Sequence, residues 1–389
     1  MALSSQRPLL VHLTNIPTPY RIIFCNTLHQ VLQEYGYGLY VLYCAKREPD
    51  RHWEIRFAEM SYPYEILPGV SLTVGKYTFH FNPIVVKRLR ELRPQFILAA
   101  GSWNTPTVLL ASSRVLGGSS FRVFWSEGHA DAVLHPSGPI AWLRRRCLRA
   151  YDAFAVPNQA SVSFVVKELG FRPVFLPLPN TVDDDLYRTA RMMDKFQIRQ
   201  ELGLPVDTTI FVSVARLDES KGVRELVEAM AQIPSEHHCY LVLVGEGPLR
   251  RELEMRKARL LNVHLVGQQS QSRVCEYLAA ADAFVLASKR DPNPLAVIEA
   301  AFAGLPLLVS SRAGNVKELV RDDVSGFVIP EITPASIAAV LTRFCRLADT
   351  ERRRLGVGAA QIAESGFKRQ DVVRNFVRAL LNCRGKRDT

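Results

Sequence analysis

The stretch Ala287-Ser-Lys-Arg-Asp-Pro-Asn-Pro-Leu-Ala-Val-Ile-Glu-Ala300 decides how this chain folds. The apolar run 283–286 feeds it, and Ala303-Gly-Leu-Pro-Leu-Leu-Val-Ser-Ser311 follows it. The pattern predicts a strand, a loop carrying Asp291, a helix and a second strand. Pro294 suits the first turn of that helix, because its fixed φ is already helical. Amides at the helix start, around Leu295 and Ala296, have no intrahelical acceptor and form a natural diphosphate site. Glu299 follows Asp291 by eight residues, about a turn inside the helix. A second reading has Asp291 as a helix cap and Glu299 as a solvated side chain, and the stretch alone leaves both open.

The same alternation extends in both directions. Short β-rich apolar runs fall at 9–13, 39–43, 96–100, 123–125, 153–156 and 174–176, then at 210–214, 240–244, 263–266, 283–286, 307–309 and 327–329. Continuous apolar strands between helical patterns read as parallel sheets covered on both faces. Two such series predict an α/β fold of two doubly wound domains, 1–178 and 179–366. Leu176-Pro-Leu-Pro-Asn-Thr-Val-Asp-Asp-Asp185 has the turn and linker character of a boundary. The segment 367–389 shows helical spacing at Val372, Val373, Phe376, Val377 and Leu380, which predicts a helix packing back on the N-terminal domain.

Composition narrows the function. A chain of 389 residues exceeds what one core usually serves, and 48% hydrophobic with 22% charged residues gives no disorder signature. The net charge of +11 favours anionic partners. Helix-turn-helix, RNA-binding and zinc signatures are lacking, so no nucleic-acid partner is expected. Seven scattered cysteines without a C-x-x-C pair argue against a disulfide framework or zinc site and fit a reducing cytosol. No stretch approaches the roughly 18 to 20 apolar residues of a membrane span, so a cytoplasmic protein with at most peripheral membrane contact is expected. Trp142-Leu-Arg-Arg-Arg-Cys-Leu-Arg149 is either a basic amphipathic helix for an anionic membrane or a solvated charged face.

Ile210-Phe-Val-Ser-Val-Ala-Arg-Leu-Asp-Glu-Ser-Lys-Gly222 is a strand ending in a loop that holds Arg216 and Lys221. Cations at the carboxyl end of a strand sit where open α/β sheets bind ligands, although each alone also reads as a surface charge. Tyr240-Leu-Val-Leu-Val-Gly-Glu-Gly-Pro248 ends another strand; Gly245 and Gly247 admit a flat ligand or make a plain tight turn. In the first half, Thr14-Asn-Ile-Pro-Thr-Pro-Tyr-Arg21 offers Tyr20 and Arg21 for recognition, or is simply a loop stiffened by two prolines. Trp125-Ser-Glu-Gly-His-Ala-Asp131 offers Glu127 and His129, although a lone histidine is often structural.

In order and spacing these pieces resemble family-4 retaining glycosyltransferases of the GT-B fold. The set is Ala215-Arg-Leu with Lys221-Gly222, Val244-Gly-Glu-Gly-Pro248, Val266-Gly267, Tyr277-Leu-Ala-Ala-Ala-Asp282, the Asp291/Glu299 pair, Gly304-Leu-Pro306, Gly314 with Glu318, and Ser325-Gly-Phe327. The resemblance implies two Rossmann-like domains facing each other across a cleft, the first for the acceptor and the second for a nucleotide-diphosphate sugar. Arg216 and Lys221 would neutralise the donor diphosphate, assisted by the amides of Leu295 and Ala296. Glu299 would hold the ribose and Asp291 the donor sugar, with Asn293 beside it. Gly245, Gly247, Gly267 and Gln268 would flank the base. His129 would lie near the transferred sugar, and Tyr20, Arg21 and Glu127 would face the acceptor.

The implied reaction is transfer of a hexose to a hydroxyl of a glycan or lipid-linked acceptor by front-face attack with retention. The nucleotide sugar is a co-substrate, and neither a metal nor another cofactor is expected. Alternatives on the same architecture are a nucleotide-sugar epimerase and a non-catalytic nucleotide-sugar-binding protein. Two departures bear on the donor: the first acid is Asp291 where the family usually has Glu, and Asn293-Pro294 stand where it commonly has aromatic-glycine.

Overall fold

Adjacent residues of the first strand, Leu10 and Val11, are both fully buried but belong to different apolar clusters on opposite faces of a sheet. Side chains alternate sides along a strand, so a strand apolar at every position needs cover on both faces. The computed structural model describes residues 7–48, 55, 57–74, 77–113, 119–128, 137–257 and 260–385. The chain separates into two compact units, one running to Pro179 and rejoined from Arg369, the other Asn180–Lys368.

The first unit contains β1 (Leu9–Thr14), β2 (Gly38–Tyr43), β3 (Tyr64–Ile66), the antiparallel pair β4 (Val70–Val74) and β5 (Tyr77–Phe81), β6 (Phe96–Ala100), β7 (Phe121–Trp125), β8 (Ala153–Val156) and β9 (Val174–Pro177). Seven of these make one parallel sheet in the order β3-β2-β1-β6-β7-β8-β9. The Pro19–Glu34 helix packs on one face with the Arg369–Gly385 helix. Val372, Val373, Phe376, Val377 and Leu380 enter the same core as Phe24, Leu28 and Val31.

The second unit contains β10 (Thr209–Val214), β11 (Cys239–Val244), β12 (Val263–Gly267), β13 (Ala283–Leu286), β14 (Leu307–Ser310) and β15 (Gly326–Ile329), ordered β12-β11-β10-β13-β14-β15 and parallel throughout. Ile210 and Val212 face one core and Phe211 the other. Strand order reverses between β10 and β13, and in the first unit between β1 and β6. Loops leaving the carboxyl ends of such strands diverge to opposite faces and leave a crevice that binds ligands.

Several expectations are modified. The acids Asp183 to Asp185 do not form a slack linker. Asp183 caps the Asp184–Thr189 helix by accepting from the Leu186 amide, and Arg188 bonds to Asp184, Asp185 and Glu364. The arginines of 144–149 are not a free cluster either. Arg144 is buried and donates Nε to Glu168 at 2.8 Å, Arg145 Nε lies 3.7 Å from the same carboxylate, and Arg149 donates to the Leu169 carbonyl. Trp142, Ile140 and Leu143 on the Gly138–Leu148 helix are exposed. Among the described residues, no helix is long and apolar enough to cross a membrane.

Candidate active site

The loop after β10 is organised by Asp218. Its Oδ1 accepts from the Ser220 amide at 2.9 Å and the Ser220 hydroxyl at 2.6 Å, shaping the Glu219–Lys221 turn. Gly222 then takes φ +62, and a Cβ there would stand 2.0 Å from the Ala287 carbonyl oxygen. Only glycine lets the loops after β10 and β13 press backbone to backbone. The Lys289 and Arg290 amides complete the join by donating to the Ser220 carbonyl at 2.8 and 3.1 Å.

This join brings Lys221 to Asp291: Nζ donates to Oδ2 at 2.5 Å. Asp291 is only 8% exposed, and its carbonyl accepts from the Gly314 amide at 2.8 Å. It does not cap the following helix. Arg216 is half exposed, with Nε 3.6 Å from Asp218 Oδ2, and lies within the same loop.

The helix begins at Leu295, one residue later than the proline pattern suggests, with Pro294 in the extended cap position. The Pro294 carbonyl is held by Asn315 Nδ2 at 2.9 Å. The first-turn amides, including those of Leu295 and Ala296, have no acceptor within the helix and carry its positive dipole end. Asn293 Nδ2 beside them is buried without a hydrogen-bond partner. Buried donors are nearly always satisfied, so this one marks a place for a ligand or water oxygen.

Glu299 is partly buried rather than solvated. Burial pushes its carboxyl up to about 7, while a hydrogen bond from the Tyr187 hydroxyl pulls the other way. Tyr187, 1% exposed on the Asp184–Thr189 helix, was not among the residues read from the sequence. It stands just after the acid-rich stretch that reads as linker, and no local pattern links it to Glu299.

The glycines flanking the expected base site have structural work of their own. Gly245 has φ +147, and a Cβ would meet the Ala215 carbonyl oxygen at 1.9 Å; at Gly247 it would meet that of Leu217 at 2.4 Å. The Leu217 amide donates to Glu246 O at 2.9 Å and the Gly245 amide to Gly267 O at 2.8 Å. The turn therefore welds β10, β11 and β12 together at their carboxyl ends. Gly267 has φ +76, and Gln268 after it is exposed.

In the first unit, Arg21, in the first turn of the Pro19–Glu34 helix, is buried with its guanidinium 4.0 Å from the Trp125 ring centroid and Nη2 4.0 Å from Glu127 Oε1. Tyr20 precedes it at the helix start, partly exposed. His12, unmentioned by the sequence reading, joins them: its ring centroid is 6.0 Å from that of Trp125, and Nδ1 donates to the Leu98 carbonyl at 3.0 Å. Burial and the Arg21 charge hold its pKa down at about 3, so it is neutral. His129 lies outside the described residues.

Among the described residues, no group of three or more His, Cys, Asp or Glu side chains is arranged to hold a metal ion.

Two parallel sheets of this topology, each with its switch point, are the two Rossmann-like domains of the GT-B architecture. HepE of Anabaena, solved in complex with UDP, superposes with a TM-score of 0.74 at 19% identity over 96% of this chain and 99% of its own. Residues 194–361 match the family model described as Glycosyl transferases group 1. The amylovoran biosynthesis glycosyltransferase AmsK of Erwinia amylovora is 35% identical over 142 residues, 34% of this chain and 35% of AmsK. The sulfoquinovosyl transferase SQD2 of Arabidopsis thaliana is 22% identical over 377 residues, 93% of this chain and 71% of SQD2. The chain spans only 35 to 38% of the length of the first curated relatives it matches at 31 to 35% identity.

Proposed function

We propose that this protein is a retaining glycosyltransferase that moves a sugar from a nucleoside-diphosphate donor to a hydroxyl of a glycan or lipid-linked acceptor. The observation that carries the reading is the meeting of Lys221 and Asp291 at the β10/β13 switch point, next to the free amides of the Leu295–Phe302 helix. Cations and oriented amides stabilise a leaving diphosphate, and an acid beside them can hold sugar hydroxyls. HepE, solved with UDP-glucose, and AmsK, named for amylovoran biosynthesis, support the donor and acceptor classes.

In this reading Arg216 and Lys221 balance the charge that grows on the diphosphate as the glycosidic bond breaks. The amides of Leu295 and Ala296 bond to the same oxygens. Asp291 releases Lys221 when the donor enters and accepts from donor-sugar hydroxyls, and Glu299 accepts from the ribose. The acceptor hydroxyl attacks on the face from which the diphosphate departs and gives its proton to that leaving group, so configuration is kept. The protein supplies position and electrostatics, and the two cations take the role that a divalent ion plays elsewhere. Tyr20, Arg21 and Glu127 recognise the acceptor.

The exposed Ile140, Trp142 and Leu143, flanked by Arg146 and Arg149, would rest on the anionic cytoplasmic leaflet, giving peripheral attachment. A thermal-shift screen of nucleoside diphosphates and their sugars tests the donor site. Stabilisation that saturates with concentration in at least one case supports it, and none at millimolar ligand counts against it.

A further inference from the structure

Cys239 opens β11, and Cys345 closes the Pro334–Cys345 helix that covers the same sheet. They stand 106 positions apart, yet their Sγ atoms are 3.1 Å from one another. That is closer than two sulfurs rest in ordinary contact and about 1 Å from a disulfide bond length. Neither position is needed by the donor site.

The two thiols differ in the way an oxidisable pair requires. Cys345 is partly exposed, while Cys239 is 8% exposed. Arg352 donates Nη2 to the Cys345 carbonyl at 2.6 Å and sets a positive charge beside its sulfur. The hydrogen bond from Cys239, aided by the Arg352 charge, holds the Cys345 thiol below its ordinary value. The Cys239 thiol is pushed up by Cys345 and by burial. Thiolate character and access together select the attacking sulfur.

We infer that Cys239 and Cys345 are a reversible oxidative modification site, forming an intramolecular disulfide when the protein meets a peroxide. The Cys345 thiolate attacks a peroxide oxygen. An S–O bond forms, the O–O bond breaks, and hydroxide leaves and takes up the thiol proton as water. The Cys239 sulfur then attacks the sulfenic sulfur. An S–S bond forms, the S–O bond breaks, and the second oxygen leaves as water with the Cys239 proton. Two thiols are oxidised by two electrons, and one hydrogen peroxide is reduced to two waters. A small dithiol reverses the change by exchange.

The bond would tie the amino end of β11 to the helix above it and close a loop containing Asp291 and Glu299. Loops of that length lose much unfolded-state entropy when closed, so oxidation should raise the melting temperature, on the order of 5 to 10 °C.

The test treats the full chain with graded hydrogen peroxide, blocks remaining thiols by alkylation and maps peptides by mass spectrometry. The expected result is a cross-linked peptide pair containing Cys239 and Cys345, two hydrogens lighter than the separate peptides and separated by dithiothreitol. A rise in melting temperature should accompany it in the wild type and be lost in Cys239→Ser and Cys345→Ser. Cys239→Ser should also accumulate a dimedone-reactive sulfenic acid at Cys345. The proposal is overturned if both thiols alkylate fully after peroxide exposure that oxidises other cysteines, or if either pairs with a different cysteine. The mass measurement on wild type stands whether or not the serine variants fold.

Discussion

Lys221 and Asp291, 70 positions apart in the chain, are joined by a 2.5 Å hydrogen bond between Nζ and Oδ2 at the point where the second sheet reverses its strand order. Each is the other's partner, so neither can be removed without consequence for the one left behind. Lys221→Ala leaves a mostly buried carboxylate without its cation and should cost about 1–3 kcal/mol of stability besides lowering turnover by at least about a hundredfold. Asp291→Asn should restore much of that stability in the double variant while leaving it inactive. Urea unfolding of the four proteins in a double-mutant cycle measures the coupling. Additive losses would mean that the pair contributes nothing as a pair.

Glu299 should make nucleotide binding depend on pH. Its carboxyl titrates at about 7 in the free protein because burial disfavours the charge. Ribose hydroxyls donate to the ionised form, so below pH 7 the dissociation constant should rise by up to about tenfold per pH unit. Tyr187→Phe removes the bond that opposes the shift and should move the inflection upward. Stability follows the opposite trend. Because the folded pKa lies above the unfolded value near 4.5, the advantage of the protonated form is complete below 4.5 and lost as pH rises through 7. Glu299→Gln should therefore gain about 1–3 kcal/mol on wild type between pH 4 and pH 8, a range set low because the side chain is partly exposed. Titrations of a bound nucleoside diphosphate and melting curves across pH check both signs; flat profiles would remove Glu299 from the site.

Gly245→Ala should be among the most damaging single-methyl changes in the chain. The new Cβ would meet the Ala215 carbonyl oxygen at 1.9 Å with φ at +147, so backbone must move. A cost of about 2–4 kcal/mol is expected from overpacking and strain together. Denaturant unfolding reads it, and a loss below about 0.5 kcal/mol would show that the loop yields freely.

The strand and loop content of the second unit was legible because Ile210–Gly222 and Ala283–Ala300 each carry an apolar run followed by glycine or proline punctuation. What those loops do to each other was not. Lys221 reaches Asp291 only because β10 and β13 are neighbours, and strand order is a property of the whole sheet. Tyr187 was hidden for a similar reason, sitting beside three acids that read as linker. β3 and the β4/β5 hairpin escaped notice because they are short and incompletely buried, without the continuous apolar run of a central strand. The glycines at 245 and 247 were legible as special positions, yet their first demand comes from the neighbouring loop.

The proposed membrane attachment should rest on apolar side chains more than on the arginine run. Trp142→Ser should lower sedimentation with anionic vesicles several-fold, and Arg146→Ser with Arg149→Ser should lower it in a salt-dependent way. Arg144→Ser should instead destabilise the fold, because it strips Glu168 of a buried partner. Equal sedimentation of the wild type and the Trp142 variant would show that this helix face does not touch lipid.

The most direct test of the account is the anomeric configuration of the product. The protein is incubated with nucleoside-diphosphate sugars and candidate hydroxyl acceptors, and the new anomeric proton is followed by NMR as nucleoside diphosphate is released. The transferred sugar should keep the donor's configuration, and release of nucleoside diphosphate should be lost in Lys221→Ala. A product of inverted configuration, or tight nucleotide-sugar binding with neither transfer nor hydrolysis, would contradict the account.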